Sequence, residues 1–135
     1  MRVLVDTSAL LALANGRDQW HARAVRIARA NAASGIRYVS TTLVLAEFHA
    51  HVLYVRGPDE ARRRVSALLE DPVHEWHPVD AAFASDAVAH WILRYADQRF
   101  SLADAVSFEL MRRERLKQAF AFDKHFETAG FALLD

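Results

Sequence analysis

The chain has 135 residues, 53% of them hydrophobic and 25% charged, the length and composition of one globular domain spanning 1–135. It has no cysteine, which excludes disulfide frameworks, Cys-ligated zinc, iron–sulfur clusters and thiol nucleophiles. Its 17 basic and 17 acidic residues cancel, so bulk charge does not grip nucleic acid, and only a local basic stripe is left for that purpose.

Residues 2–5 are a short β-branched and aliphatic run that predicts a buried strand. Thr7 or Ser8 then caps a helix ending at Asn15-Gly16. A second helix over 20–34 carries Arg23, Arg26 and Arg29 on its wet side and stops at Gly35. Residues 36–40 read as the second strand. Thr41 or Thr42 caps a long helix to Arg56, closed by Gly57-Pro58. Pro58 opens another helix to Glu70, with Asp59 and Glu60 at its positive end. Residues 73–77 are the third strand. Asp80 caps a helix to Tyr95, and Ser101 caps one to Arg115. Residues 118–122 form the fourth strand, and 131–134 are a candidate fifth.

Strands alternating with helices predict an α/β fold: a central, mostly parallel sheet of four to five strands flanked by helices on both faces. The longest apolar run, 9–14, is far short of the ~20 residues a membrane span needs. Asp6 interrupts the one stretch resembling a leader peptide, so the expected location is cytoplasmic, with no membrane partner.

Ligands of such sheets bind at the carboxyl ends of the strands, and acids gather there. Asp6 follows the first strand and Asp123 the predicted fourth; the ordinary role of either is a cap or an Asx-turn. Glu47 lies too deep in its helix for a capping box. Its helical neighbours are Leu43, Ala50, His51 and Tyr54, with no Lys or Arg among them. Asp104 has capping-box spacing from Ser101, yet its face continues as Ser107, Phe108 and Met111. Four acids converging in a buried place cannot all stay ionised and unpaired. Some are protonated or a cation sits among them, and hard oxygen ligands favour magnesium, manganese or calcium.

The segments that carry these acids resemble a known family. Residues 3–10 (VLVDTSAL), 41–47 (TTLVLAE), 100–108 (FSLADAVSF) and 119–126 (AFAFDKHF), with Ala129-Gly130-Phe131 after them, are similar in content and order to the four acidic segments of PIN-domain nucleases. The small size is similar to the VapC-like toxins of bacterial type II toxin–antitoxin pairs. The resemblance implies a PIN-like fold and a Mg²⁺- or Mn²⁺-dependent endoribonuclease held as a homodimer, with an RNA substrate and a cognate antitoxin that blocks the acidic pocket. It implies Asp6, Glu47, Asp104 and Asp123 as the catalytic, metal-binding acids, Asp6 and Asp104 touching the ion directly. Thr7, Ser8 and Ser107 are supporting hydroxyls, and Asp97 is a candidate accessory acid with a turn residue as its alternative. In-line attack by water would leave a 5′-phosphate and a 3′-hydroxyl.

Other readings compete. Arg94, Arg99, Arg112 and Arg113 are candidate RNA contacts, or simply solvated helix faces. His49 with His51, and His74 with His77, point to opposite sides of their elements and make no zinc chelate. His125 reads as a turn histidine, with substrate contact as the alternative. Trp20, Trp76 and Trp91 read as core or dimer interface rather than base-stacking platforms. A haloacid dehalogenase-type phosphatase using Asp6 needs a second Asp two residues on, where Ser8 stands. A catalytically silent PIN-like binding scaffold is the non-enzymatic alternative.

Overall fold

A computed structural model describes residues 1–135. Strands β1 (Arg2–Val5), β2 (Arg37–Thr41), β3 (His74–His77), β4 (Gln118–Phe120) and β5 (Ala132–Leu133) form one sheet in the order β3-β2-β1-β4-β5. Every neighbouring pair is parallel. Parallel neighbours need crossover connections, and helices supply most of them. These are α1 (Thr7–Ala14), α2 (His21–Ala33), α3 (Thr42–Arg56), α4 (Pro58–Glu70), α5 (Ala81–Ala87), α6 (Leu102–Glu114) and α7 (His125–Thr128). No helix is long and apolar enough to cross a membrane.

The strand period of two divides the core. Leu4, Val39 and Ala119 stand side by side and pack with Phe108, Met111 and Phe126 from α6 and α7. Val5, Phe120 and Tyr38 point the other way, toward Leu10, Ile27, Phe48 and Ala61 from α1 to α4. The chain runs outward from β1 through β2 to β3, then returns to place β4 and β5 on the opposite side of β1. The order therefore reverses between β1 and β4, and the crevice at their carboxyl ends is the switch point where such sheets bind ligands.

Four elements differ from the sequence reading. β4 ends at Phe120, two residues early, because the Phe122 N–H donates to the Ser8 hydroxyl at 2.9 Å instead of continuing the ladder. The helix expected from Asp80 to Tyr95 changes winding: α5 passes into a π-helical segment, Val88–Leu93. Asp6 caps α1, in place of Thr7 or Ser8, by accepting the Ser8 N–H at 3.2 Å. The short helix α7 was not anticipated from the sequence.

The π-helical segment is tied to α6 through Glu109, whose side chain is fully buried. The consecutive His90 and Trp91 both reach its Oε1, at 2.9 and 3.2 Å. Arg112 makes two bonds to it, at 3.1 and 2.6 Å, and Arg113 Nε a third at 3.0 Å. Burial alone would raise the carboxyl's pKa, but these donors outweigh it and hold the group at about 2. The depressed value means the knot stabilises the fold above the ordinary carboxylate range and loses that contribution as pH falls through about 2. Glu109→Gln should cost about 3 kcal/mol in urea denaturation at pH 7, since it leaves the Arg pair without its anion. The deficit relative to the parent should shrink as the pH is lowered from 5 toward 2.

Candidate active site at the strand ends

The crevice is built from three chain segments. Asp6 leaves β1 with its N–H bonded to the Phe120 carbonyl at 3.0 Å, which sets it at the carboxyl edge of both β1 and β4. Ser101 and Asp104 form a reciprocal capping box at the start of α6, so helix capping fixes the Asp104 carboxylate. Asp123 opens the turn into α7 and accepts the His125 N–H at 2.9 Å. His125 Nδ1 lies 3.1 Å from Asp104 Oδ2 and 3.6 Å from Asp123 Oδ1. One ligand-capable atom from each of Asp104, Asp123 and His125 falls within 4.8 Å of the others.

Asp6 is buried, 7% exposed, and its only donors are the Ser8 N–H and, at 2.7 Å, the Ser8 hydroxyl. Burial pushes its carboxyl up to about 6; the Ser8 bonds oppose that rise, and the charges of Asp104 and Asp123 add to it. Each of the three carboxylates is held through a single oxygen. The protein bonds go to Asp6 Oδ2, Asp104 Oδ2 and Asp123 Oδ1, and the other oxygen of each has no protein partner. Carboxylate oxygens held in place and paired with no donor suit a hard divalent cation.

Ser8 joins the halves of the site, donating to Asp6 while accepting from Phe122, one residue before Asp123. Thr7 is buried and donates its hydroxyl to Glu47 Oε1. Glu47 itself is exposed on α3, so its partner from elsewhere in the chain is Thr7, and it reaches the cluster only through that residue. Ser107 is fully buried with no partner for its hydroxyl and touches none of the acids. Asp97 sits exposed in the turn after the π-helical segment, with Gln98 as its one side-chain contact, at 3.5 Å.

Two residues carry more than the sequence reading assigned. His125 lies among the acids because the 123–125 turn folds its ring back over Asp104, and Phe100 packs edge-on against it. Glu109 holds Arg112 and Arg113, two of the candidate RNA contacts, in ion pairs at 2.6 and 3.0 Å. Elsewhere Glu75, His77 and Glu114 also come together, but Arg2 sits between the two carboxylates at 2.5 and 2.8 Å and neutralises them. The crevice at Asp6 has no such cation.

The sign of the Asp6 effect is testable. Its folded-state pKa lies above the ordinary 3.8, so its contribution to stability is full below the ordinary carboxylate range and is lost as pH rises through about 6. In EDTA the parent should lose on the order of 2–3 kcal/mol between pH 4 and pH 7.5 from this group. Asp6→Asn should lack that component of the slope in chemical denaturation.

Comparison with known proteins agrees with this geometry. The PIN domain family model matches residues 3–132. The chain is 31% identical over 129 residues to the 23S rRNA-specific endonuclease VapC20 of Mycobacterium tuberculosis, covering 96% of this chain and 95% of that protein. The crystal structure of M. tuberculosis VapC20, described as a sarcin–ricin loop cleaving toxin, superposes with a TM-score of 0.85 at 28% identity, covering 96% of each chain. VapBC2 of Rickettsia felis, bound to a promoter DNA fragment, gives 0.68 at 12% identity over 99% of this chain and 98% of that one. FitAcB of Neisseria gonorrhoeae gives 0.69 at 15% identity over 100% and 97%. The last two speak to the fold alone. The chain belongs to the PIN-domain family of nucleases, in its VapC-like branch.

Proposed function

We propose that this chain is a single-domain, Mg²⁺- or Mn²⁺-dependent endoribonuclease, the toxin of a VapBC-type pair. It acts in the cytoplasm as a homodimer and is restrained by a cognate antitoxin. The observation that carries the reading is Asp6: a buried carboxyl beside Asp104 and Asp123, with hydroxyl and amide donors but no cation of the protein.

Asp6, Asp104 and Asp123 would hold the ion through their unpartnered oxygens, with His125 as a nitrogen donor and Glu47 acting through Thr7. Such an ion, when bound, neutralises charge at the scissile phosphate and lowers the pKa of a water. The protein's part is to keep the acids still. Ser8 fixes Asp6, the Ser101 cap fixes Asp104, and the His125 N–H fixes Asp123, so little reorganisation accompanies attack on a phosphodiester. Water is the nucleophile this reading assigns, because the Ser8 hydroxyl is already engaged by Asp6 and the Phe122 N–H. Products with a 5′-phosphate and a 3′-hydroxyl follow from in-line displacement of the 3′ oxygen.

The phosphatase alternative loses ground, because Ser8 binds Asp6 where that chemistry needs a second acid. A silent scaffold would gain nothing from three immobilised acids with free oxygens.

Purified protein, free of antitoxin, should cut total RNA in Mg²⁺ or Mn²⁺. EDTA should abolish cutting, and Asp104→Asn should reduce it at least ~100-fold. Equal cutting in EDTA, or 2′,3′-cyclic phosphate ends, would overturn the proposal.

A further inference from the structure

The three tryptophans are not alike. Trp76 donates its indole N–H to the Leu68 carbonyl, and Trp91 donates to Glu109. Trp20 donates its indole N–H to nothing in the protein and remains 38% exposed. Read from sequence as core or interface, it instead lies flat on Phe122, with ring centroids 5.3 Å apart and planes 4° from parallel. That stack covers one face of the indole, so the exposure falls on the rest of the ring.

Position gives the pair its meaning. Phe122 immediately precedes Asp123, and its N–H is bonded to the Ser8 hydroxyl that holds Asp6. The aromatic surface is therefore anchored to the same backbone as the acids. The loop bearing Trp20 is also fixed: its N–H donates to Asp18 Oδ1 at 2.8 Å, and its carbonyl accepts from Ala24 at 2.8 Å. His21, next along, bonds the Ala12 carbonyl through Nδ1 at 2.7 Å. Two exposed cations flank the pair in sequence, Arg17 before Trp20 and Lys124 after Asp123, and neither is held in a salt bridge of the protein. A rigid, half-open aromatic ring stacked on the residue that precedes Asp123 matches the chemistry that single-stranded nucleic acid requires.

We propose that Trp20, backed by Phe122, is a stacking platform for one unpaired nucleobase flanking the scissile phosphate. A base within a duplex has both faces covered by its neighbours and has none to offer the indole. The inference rests on the nuclease reading above and adds a residue that positions the substrate beside the acids.

The test uses a decaribonucleotide spanning the cut mapped in total RNA, the same decamer paired to its complement, and the decamer made abasic at each nucleotide beside the cut. Affinity is read in Mg²⁺ from the fluorescence anisotropy of an end-labelled decamer, and stacking from tryptophan fluorescence, both in Asp104→Asn protein. The single strand should quench fluorescence, and the duplex should bind at least tenfold more weakly. Adding Trp20→Ala should weaken single-strand binding about tenfold or more. One abasic position should bind as poorly to the parent as to Trp20→Ala. Trp20→Phe keeps a ring on Phe122 and should retain binding while losing the quench, which guards against Trp20→Ala failing to fold. Equal affinity of Trp20→Ala and its parent, or quenching that persists in Trp20→Phe, would overturn the platform while leaving the nuclease intact. It would then hand the exposed indole to a protein partner. Absence of any metal-dependent cut in total RNA would instead overturn the nuclease reading, and the platform with it.

Discussion

Two carboxylates are buried in this protein, and their surroundings are opposite. Glu109 has five hydrogen bonds, three of them from Arg112 and Arg113, and its pKa falls to about 2. Asp6 has Ser8 alone, and burial, with a smaller push from two further acids, raises its carboxyl to about 6. A chain able to satisfy one buried anion so fully leaves the other short of positive charge at the carboxyl edge of its sheet. Unrelieved anionic crowding is costly in a folded state and persists where an external cation is to complete the balance.

The rest of the fold serves that placement. The reversal of strand order between β1 and β4 opens the crevice, and the Asp6 N–H to Phe120 carbonyl bond closes the ladder just where the acid begins. Capping chemistry does double duty: Asp6 and Asp104 each satisfy orphan amides at a helix start while presenting a free oxygen to the crevice. Ser8 is the hinge of the arrangement, because one hydroxyl restrains both Asp6 and the strand exit that leads to Phe122 and Asp123. The Glu109 knot holds the body of α6 against the π-helical segment, and so keeps Asp104, one and a half turns earlier on that helix, in position.

Much of this was legible in the residues. Hydrophobic runs followed at once by Asp marked the strand ends, and capping residues marked most helix starts, so the alternation and its parallel sheet could be read directly. Asp6, Asp104 and Asp123 converge as their motifs implied. What escaped depended on contacts distant in sequence. The length of β4 is decided by Ser8, 114 residues away. The fit of His125 depends on a turn only a tertiary neighbour can favour, and α7 is too short to leave a periodic pattern. Glu109 looked like one more charge on an amphipathic helix, since nothing local shows that His90 and Trp91 will bury it. The spacing along the helix allows Glu47 either apolar surroundings or solvent, and α3 presents it to solvent with Thr7 as its one hydrogen-bond partner. Trp20 reads as core or interface from its place in a predicted helix, and the structure leaves it 38% exposed at the start of α2, stacked on Phe122.

The central claim is that the three acids share a cation they do not themselves possess. Thermal melting of the parent and of Asp104→Asn, each in EDTA and in Mn²⁺, tests it most directly. In EDTA, Asp104→Asn should melt above the parent, because one of the crowded charges is gone. Mn²⁺ at about a hundred times its dissociation constant should raise the parent by about 10 °C and the variant by much less. Melting temperatures that ignore both the ion and the substitution would contradict the account.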